Sequence, residues 1–124
     1  MSGFGHVQLY VRDPAASARF YAGLLQRAPI EASPTFALFA SHTDGTMLGL
    51  WQRDGVEPPA APSTGAAGEL GWRVGSADEV DALHAAWVSH GVAIAQAPTE
   101  MDFGRTFTGL DPDGNRLRVF ALRS

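Results

Sequence analysis

The same short pattern occurs twice in this chain of 124 residues, and it constrains the fold more than any other feature. An Asp-Gly pair leads into an apolar segment at residues 44–51 and again at residues 113–120. Because Asp-Gly readily takes the positive φ values of a tight turn, each copy predicts a β-hairpin. When the copies are aligned, the one inward-facing position that differs sharply holds Gly49 in the first and Arg118 in the second. The chain is therefore predicted to fold as two similar halves.

The residues before each hairpin repeat the same order of elements. In the first half, apolar and polar residues alternate over 6–11, which is typical of a half-buried strand. Asp13, followed by a proline, predicts the start of a helix. Further strands are predicted near 29–33, 35–40 and 46–52.

The second half follows the same plan. Strand alternation begins at Glu69, and Ser76 begins a capping box that predicts a helix. A glycine follows this helix where a left-handed cap is expected. Strands are predicted near 92–96, 104–110 and 115–122.

Residues 53–68 are rich in proline, glycine and alanine, so we interpret them as a linker between modules at about 4–52 and 69–122. One half of roughly sixty residues would bury too little apolar surface to be secure alone. The sequence therefore predicts one α+β domain over residues 1–124, in which two βαβββ modules are fused around one core.

Composition narrows the class of function. The net charge is −4, and the nine basic residues are all arginines scattered along the chain. This distribution argues against nucleic-acid binding and against a polybasic membrane patch. The chain has no cysteine, which excludes disulfides, a zinc ribbon and a thiol nucleophile. We identify no signal peptide or membrane span at the N-terminus and expect a cytoplasmic protein.

Two segments carry a family resemblance. Residues 6–13 read His-Val-x-Leu-x-Val-x-Asp and lead to Phe20 and Tyr21, while residues 103–107 lead to the sequence Asp-Pro-Asp-Gly-Asn at 111–115. In order and separation these segments resemble the vicinal oxygen chelate superfamily, which includes glyoxalase I, extradiol dioxygenases and bleomycin-resistance proteins. The resemblance covers nearly the whole chain and implies the glyoxalase/bleomycin-resistance fold, in which the two βαβββ modules form a curved mixed sheet around a cavity.

The resemblance also implies where a metal would bind. Enzymes of this superfamily hold a divalent metal with His, Glu or Gln side chains on the first and last strands of each half, positions that here hold His6, Gly49, Glu69 and Arg118. Such a metal needs at least three N or O ligands, and neither glycine nor a permanently charged guanidinium supplies one. We therefore expect no metal and no other cofactor. Instead, Glu69 and Arg118 are expected to form an ion pair.

Strand alternation predicts a ligand-binding surface on the inward-facing side. Trp51 is its expected stacking residue, because Leu48 and Leu50 supply the helix-facing contacts of that strand; a core or dimer-interface role is the alternative. The glycines either leave room for a ligand or ease bending of the sheet. Arg105 is expected to contact an anionic group or to pair with a surface carboxylate. The full expected set is His6, Gln8, Tyr10, Phe36, Phe39, Met47, Gly49, Trp51, Glu69, Gly71, Phe103, Arg105, Phe107 and Arg118.

Other aromatic and basic residues fall outside this set. Strand alternation also predicts that three further side chains face inward, namely Arg73, Arg116 and Phe120. Trp72 and Trp87 are instead predicted to be core residues between sheet and helix.

The stretches 45–51, 69–71 and 103–107 are most similar to the metal-free branch of the superfamily that sequesters phenazine antibiotics. This resemblance implies a cytoplasmic homodimer that binds a small planar aromatic compound, an antibiotic, and has no catalytic residue. One alternative is a metal-dependent lyase or oxidoreductase of the glyoxalase/dioxygenase type that uses His6 and Glu69. A second alternative is a structural or regulatory module with an unused cavity.

Overall fold

A computed structural model describes residues 5–40, 45–59 and 69–123. The chain divides into two compact units, Met1–Pro62 and Ser63–Ser124. Each unit contains one helix and one four-stranded mixed sheet, so the predicted α+β architecture of two βαβββ modules is confirmed. No helix within these described ranges is long and apolar enough to cross a membrane.

The first unit has one parallel strand pair and two antiparallel pairs. Its sheet has the order β1-β4-β3-β2, in which β1 is parallel to β4 and the other neighbours are antiparallel. A short 3₁₀ turn follows the last strand at Arg53–Gly55. The elements are β1 (His6–Val11), α1 (Pro14–Leu25), β2 (Glu31–Ala32), β3 (Phe36–Ala40) and β4 (Met47–Gln52).

The second unit repeats this topology with the sheet order β5-β8-β7-β6, and β5 is parallel to β8. Compared with the sequence prediction, β2 has only two residues and β6 extends to Met101. The elements are β5 (Glu69–Arg73), α2 (Ala77–Ser89), β6 (Ala93–Met101), β7 (Gly104–Leu110) and β8 (Arg116–Leu122).

Both helices begin where the sequence predicts. A carboxylate oxygen of Asp13 accepts hydrogen bonds from the backbone N–H groups of Ala15 and Ala16, at 3.1 and 3.3 Å. At the second helix, Ser76 Oγ accepts from the N–H of Glu79 at 3.2 Å. The Glu79 carboxylate in turn accepts from the N–H of residue 75 at 3.4 Å. In a standard capping box it would accept from the N–H of the N-cap residue, Ser76, which is one residue later.

The turns between strands depend on left-handed glycines. Gly45 has φ 77° and Gly114 has φ 84°, in the region that glycine occupies without a steric cost. In the second turn, the carboxylate of Asp111 accepts from the N–H groups of Asp113 and Asn115 at 2.9 and 2.8 Å. The aspartate of the first turn, at position 44, lies outside the described residues, as do residues 60–68 of the predicted linker.

Each unit buries its own apolar core between helix and sheet. In the first unit, Tyr21 of α1 and Leu50 of β4 are fully buried. In the second, the ring of Trp87 packs edge-to-face on Trp72 and on Phe107, with centroid distances of 5.9 and 5.0 Å. The predicted core position of Trp87 is therefore confirmed, whereas Trp72 contacts Trp87 but is only half-buried.

The capping interaction of Asp13 gives a test of the fold. Asp13→Ala removes the acceptor for two otherwise unpaired N–H groups, so we expect the free energy of unfolding to fall by about 1 kcal/mol in urea denaturation. Asp13→Ser, which keeps a capping oxygen, should remain within a few tenths of a kcal/mol of the wild-type protein. Equal stability of the alanine and serine variants would contradict this role.

Candidate functional site

The first sheet places three aromatic residues in one row. Tyr10 in β1 is the register partner of Trp51 in β4, and Trp51 is the partner of Phe36 in β3. Register partners on adjacent strands project from the same face of a sheet. The neighbouring row contains Leu50 and Ala37, which are buried on the helix side. The aromatic row therefore projects from the face of the sheet that points away from α1.

We call this surface the first distal face. It comprises three rows of register partners, and it unites seven of the expected ligand residues. The rows are Tyr10-Trp51-Phe36, Gln8-Gly49-Leu38 and His6-Met47-Ala40.

The space above Gly49 is filled by the protein itself. A Cβ atom at Gly49 would lie 2.5 Å from Gln8 Oε1 and 2.8 Å from His6 Nε2. These two atoms are 2.9 Å apart, so the imidazole N–H donates to the amide oxygen. The expectation that Gly49 leaves room for a ligand is therefore wrong in this structure: the glycine makes room for Gln8 and His6.

The second sheet has a corresponding surface on the side away from α2, which we call the second distal face. Gly71 and Glu69 lie on it, and a Cβ atom at Gly71 would meet only the ring of Phe120, at an ordinary contact distance of 3.5 Å. Its rows of register partners are Arg73-Phe120-Thr106, Gly71-Arg118-Thr108 and Glu69-Arg116-Leu110.

Arg118 is the best-connected polar side chain of the second distal face. Its Nε donates to Glu69 Oε2 at 2.7 Å, which confirms the predicted ion pair. Its Nη1 also donates to Gln96 Oε1 and to Thr106 Oγ1, each at 3.2 Å. The Arg118 side chain is 19% exposed and that of Glu69 is 39% exposed, so the pair is only partly withdrawn from water.

These residues do not fit the metal that the family implies. Gly49 offers no donor, and the guanidinium of Arg118 has no lone pair and holds the Glu69 carboxylate. The fixed positive charge of Arg118 would also oppose a divalent cation. Within the described part of the chain, no group of three or more His, Cys, Asp and Glu side chains is arranged to hold a metal.

Three expected ligand residues lie on the helix side instead. Phe39 is paired with Leu48 and Phe107 with Val119, and both rings are buried, so the structure contradicts their assignment to a ligand wall. Arg105 also projects toward the helix. Side chains alternate between the two faces of a strand, so a shift of one residue in register moves each of them to the opposite face. The sequence did not determine the register of β3 and β7.

Arg105 ties its strand to the helix. Its Nε donates to Asp81 Oδ1 of α2 at 2.8 Å, and its Nη1 donates to Glu100 Oε1 at 3.4 Å. The hydrogen bond with Asp81 raises the pKa of the Arg105 guanidinium above its ordinary value. The expected surface pairing with Glu100 is confirmed, whereas the expected contact with a ligand anion does not suit a group already bound to two carboxylates.

Phe103 lies in the turn between β6 and β7 and is 39% exposed. Its ring packs edge-to-face on Phe120 with a centroid distance of 6.3 Å. Sequence reasoning missed two side chains that support Arg118, namely Thr106 of the adjacent strand β7 and Gln96 of β6 beyond it. The sequence shows that both side chains are polar. It does not show the register of β6, which brings Gln96 to Arg118.

Comparison with known proteins identifies the family. Residues 3–119 match the model of the glyoxalase/bleomycin resistance protein/dioxygenase superfamily. The chain belongs to this superfamily. It is 31% identical over 117 residues to the phenazine antibiotic resistance protein EhpR of Enterobacter agglomerans, a match that covers 92% of this chain and 88% of that protein.

Solved structures agree with this assignment. Protein ATC0852 of Agrobacterium tumefaciens, solved by NMR, is 47% identical, with a TM-score of 0.87 and full coverage of both chains. A glyoxalase-related enzyme of Fulvimarina pelagi is 22% identical, with a TM-score of 0.82 over 98% of this chain and 88% of that one. At this lower identity the likeness concerns the fold, which confirms the glyoxalase-type architecture.

The ion pair on the second distal face gives a second test. Arg118→Ala leaves the Glu69 carboxylate without its partner in a partly exposed setting, so we expect a loss of about 1–2 kcal/mol in the free energy of unfolding. Arg116→Ala is the matched control, because Arg116 lies on the same strand and face but forms no ion pair with any described residue. The control should change stability by less than about 0.5 kcal/mol. Equal losses in both variants would contradict a stabilising role for the pair.

Proposed function

We propose that this protein binds and sequesters a small planar aromatic compound on its first distal face, without catalysis. The row of Tyr10, Trp51 and Phe36 carries the proposal. Adjacent strands lie about 4.8 Å apart, so the three side chains begin from positions that span about 10 Å, the width of a fused-ring ligand. Tyr10 is 42% exposed, and Trp51 and Phe36 are half-buried, which leaves aromatic surface for stacking.

The relatives support the nature of the ligand. EhpR is named as a phenazine antibiotic resistance protein, and a phenazine is a flat tricyclic ring system. We propose an antibiotic of this general shape as the ligand here, and resistance by sequestration in the cytoplasm as the biological role. Stacking on Trp51, with polar contacts from the adjacent Gln8 row, would give such a ligand both affinity and orientation.

The metal-dependent alternative requires His6 and Glu69 as ligands. In the structure His6 Nε2 donates to Gln8, and the Glu69 carboxylate accepts from Arg118. Both groups are therefore already used by neighbouring side chains. This engagement favours a binding role over a lyase or dioxygenase role for the same positions.

Metal analysis separates the two functions. Protein purified without chelators should contain far less than one Zn, Ni, Mn or Fe ion per chain by mass spectrometry. A stoichiometric ion, together with its loss in a His6→Ala variant, would overturn the metal-free proposal and support the enzyme.

Ligand binding gives the main test of the proposal. Phenazine should bind with micromolar or tighter affinity in calorimetry, and Trp51→Ala should weaken binding by about 1–3 kcal/mol, because an aromatic anchor is lost. Trp72→Phe is the control, since Trp72 lies between sheet and helix, and its affinity should match that of the wild-type protein. Unchanged affinity in a folded Trp51→Ala variant would show that Trp51 is a packing residue.

We also propose a homodimer. Three large apolar side chains, Met101, Phe103 and Leu122, are 40%, 39% and 46% exposed and gather at one end of the second sheet. An exposed apolar cluster of this kind is typical of a protein interface, and two-fold pairing of identical chains is its commonest use.

Sedimentation tests this assembly. The wild-type protein should sediment with twice its chain mass of 13.1 kDa. Leu122→Glu should lower the dimer fraction by placing a charge in the cluster, whereas Val88→Glu, at a 51% exposed site on α2, should not. A monomer at micromolar concentration would contradict the proposal.

A further inference from the structure

The amide of Gln8 has one atom that the protein leaves unpaired. Gln8 Oε1 accepts from His6 Nε2 at 2.9 Å, whereas Gln8 Nε2 is withdrawn from solvent and has no hydrogen-bond partner. It is the only buried side-chain nitrogen or oxygen in this condition within residues 5–40, 45–59 and 69–123. A buried donor left without an acceptor destabilises the folded protein, so its persistence requires an explanation.

Gly49 holds this amide in place beside the aromatic row. Any side chain at position 49 would collide with Gln8 Oε1 and Cδ, which would lie 2.5 and 3.0 Å from its Cβ. The absence of a side chain lets the amide lie against the strand, in the row next to Trp51. Successive residues on one face of a strand are about 7 Å apart. A fused-ring ligand stacked on Trp51 therefore brings its edge to Gln8.

We propose that Gln8 is a specificity-determining residue, whose Nε2 donates a hydrogen bond to an acceptor on the edge of the aromatic ligand. This inference rests on the proposed function and adds the chemical class of the ligand: a planar aromatic that carries a ring nitrogen or a carbonyl oxygen on its edge. Because Nε2 has no partner to give up, the new hydrogen bond replaces none within the protein. A hydrocarbon ring of the same shape gains no such hydrogen bond, so it should bind less tightly than a ring that carries the acceptor.

The side chains around the amide allow the ligand to reach it. His6 is exposed, and the hydrogen bond to Gln8 is the contact that holds its ring over the amide. Rotation about the outer side-chain torsions of Gln8 would turn Nε2 toward the ligand, and the exposed His6 ring can follow the amide so that Oε1 keeps its donor.

Quinoline and naphthalene test this inference, because they have the same shape and differ by one ring nitrogen. The measured quantity is the Kd of naphthalene divided by the Kd of quinoline. Gln8→Met removes the donor at similar side-chain length, and we expect this ratio to fall about tenfold, the loss of one well-formed hydrogen bond. Gln52→Met is the matched control. Gln52 is the partner of buried Val11 on the helix side of the sheet, so the ratio should stay at the wild-type value.

The outcomes are distinguishable. An unchanged ratio in Gln8→Met, with both compounds still bound, overturns the role of Gln8 and leaves the proposed function standing. Absence of binding of phenazine, quinoline and naphthalene to the wild-type protein overturns the proposed function and the inference together. If circular dichroism shows that Gln8→Met is unfolded, Gln8→Glu gives the same comparison, because a carboxylate has no N–H and should also lower the ratio.

Discussion

The parallel pairing of the first and last strand of each module is the constraint on which the rest of the structure depends. Parallel neighbours cannot be joined by a tight turn, so a long crossover must lie between them in sequence, and here it contains the helix and two further strands. This pairing brings Tyr10 beside Trp51 and Gly71 beside Arg118, although these residues are far apart in the chain. A register slip of one residue would send each set to the opposite face.

With the register fixed, the chemistry of the distal faces follows from a few side chains. On the second face, Arg118 supplies a permanent positive charge, held by Glu69 and by two neutral oxygens. On the first face, Gly49 has no side-chain atom that could bind a metal, and the amide of Gln8 lies over it. The family scaffold that elsewhere serves metal chemistry here presents aromatic surface and hydrogen-bonding groups, a combination suited to holding a flat organic molecule.

The sequence predicted the parts of the site that depend on clear alternation. The first strand of the first module alternates clearly, and the same parity applied to its parallel partner β4 predicted that Trp51 lies on the face away from the helix, whereas the ion pair of Glu69 with Arg118 was implied by the family resemblance. Strands β3 and β7 do not alternate regularly between apolar and polar residues, so their parity could not be determined from a local pattern. Phe39, Phe107 and Arg105 were therefore placed on the wrong face.

The contact of His6 with Gln8 was predictable from their spacing of two residues, but its position above Gly49 depends on pairing between strands.

The most direct test of a ligand stacked on the first distal face is NMR of the three indole N–H groups during a phenazine titration. The signal of Trp51 should shift strongly through the ring current of the ligand, while those of Trp72 and Trp87 stay near their free positions. A saturating titration that leaves the Trp51 signal in place, or that moves Trp72 and Trp87 instead, would contradict the account.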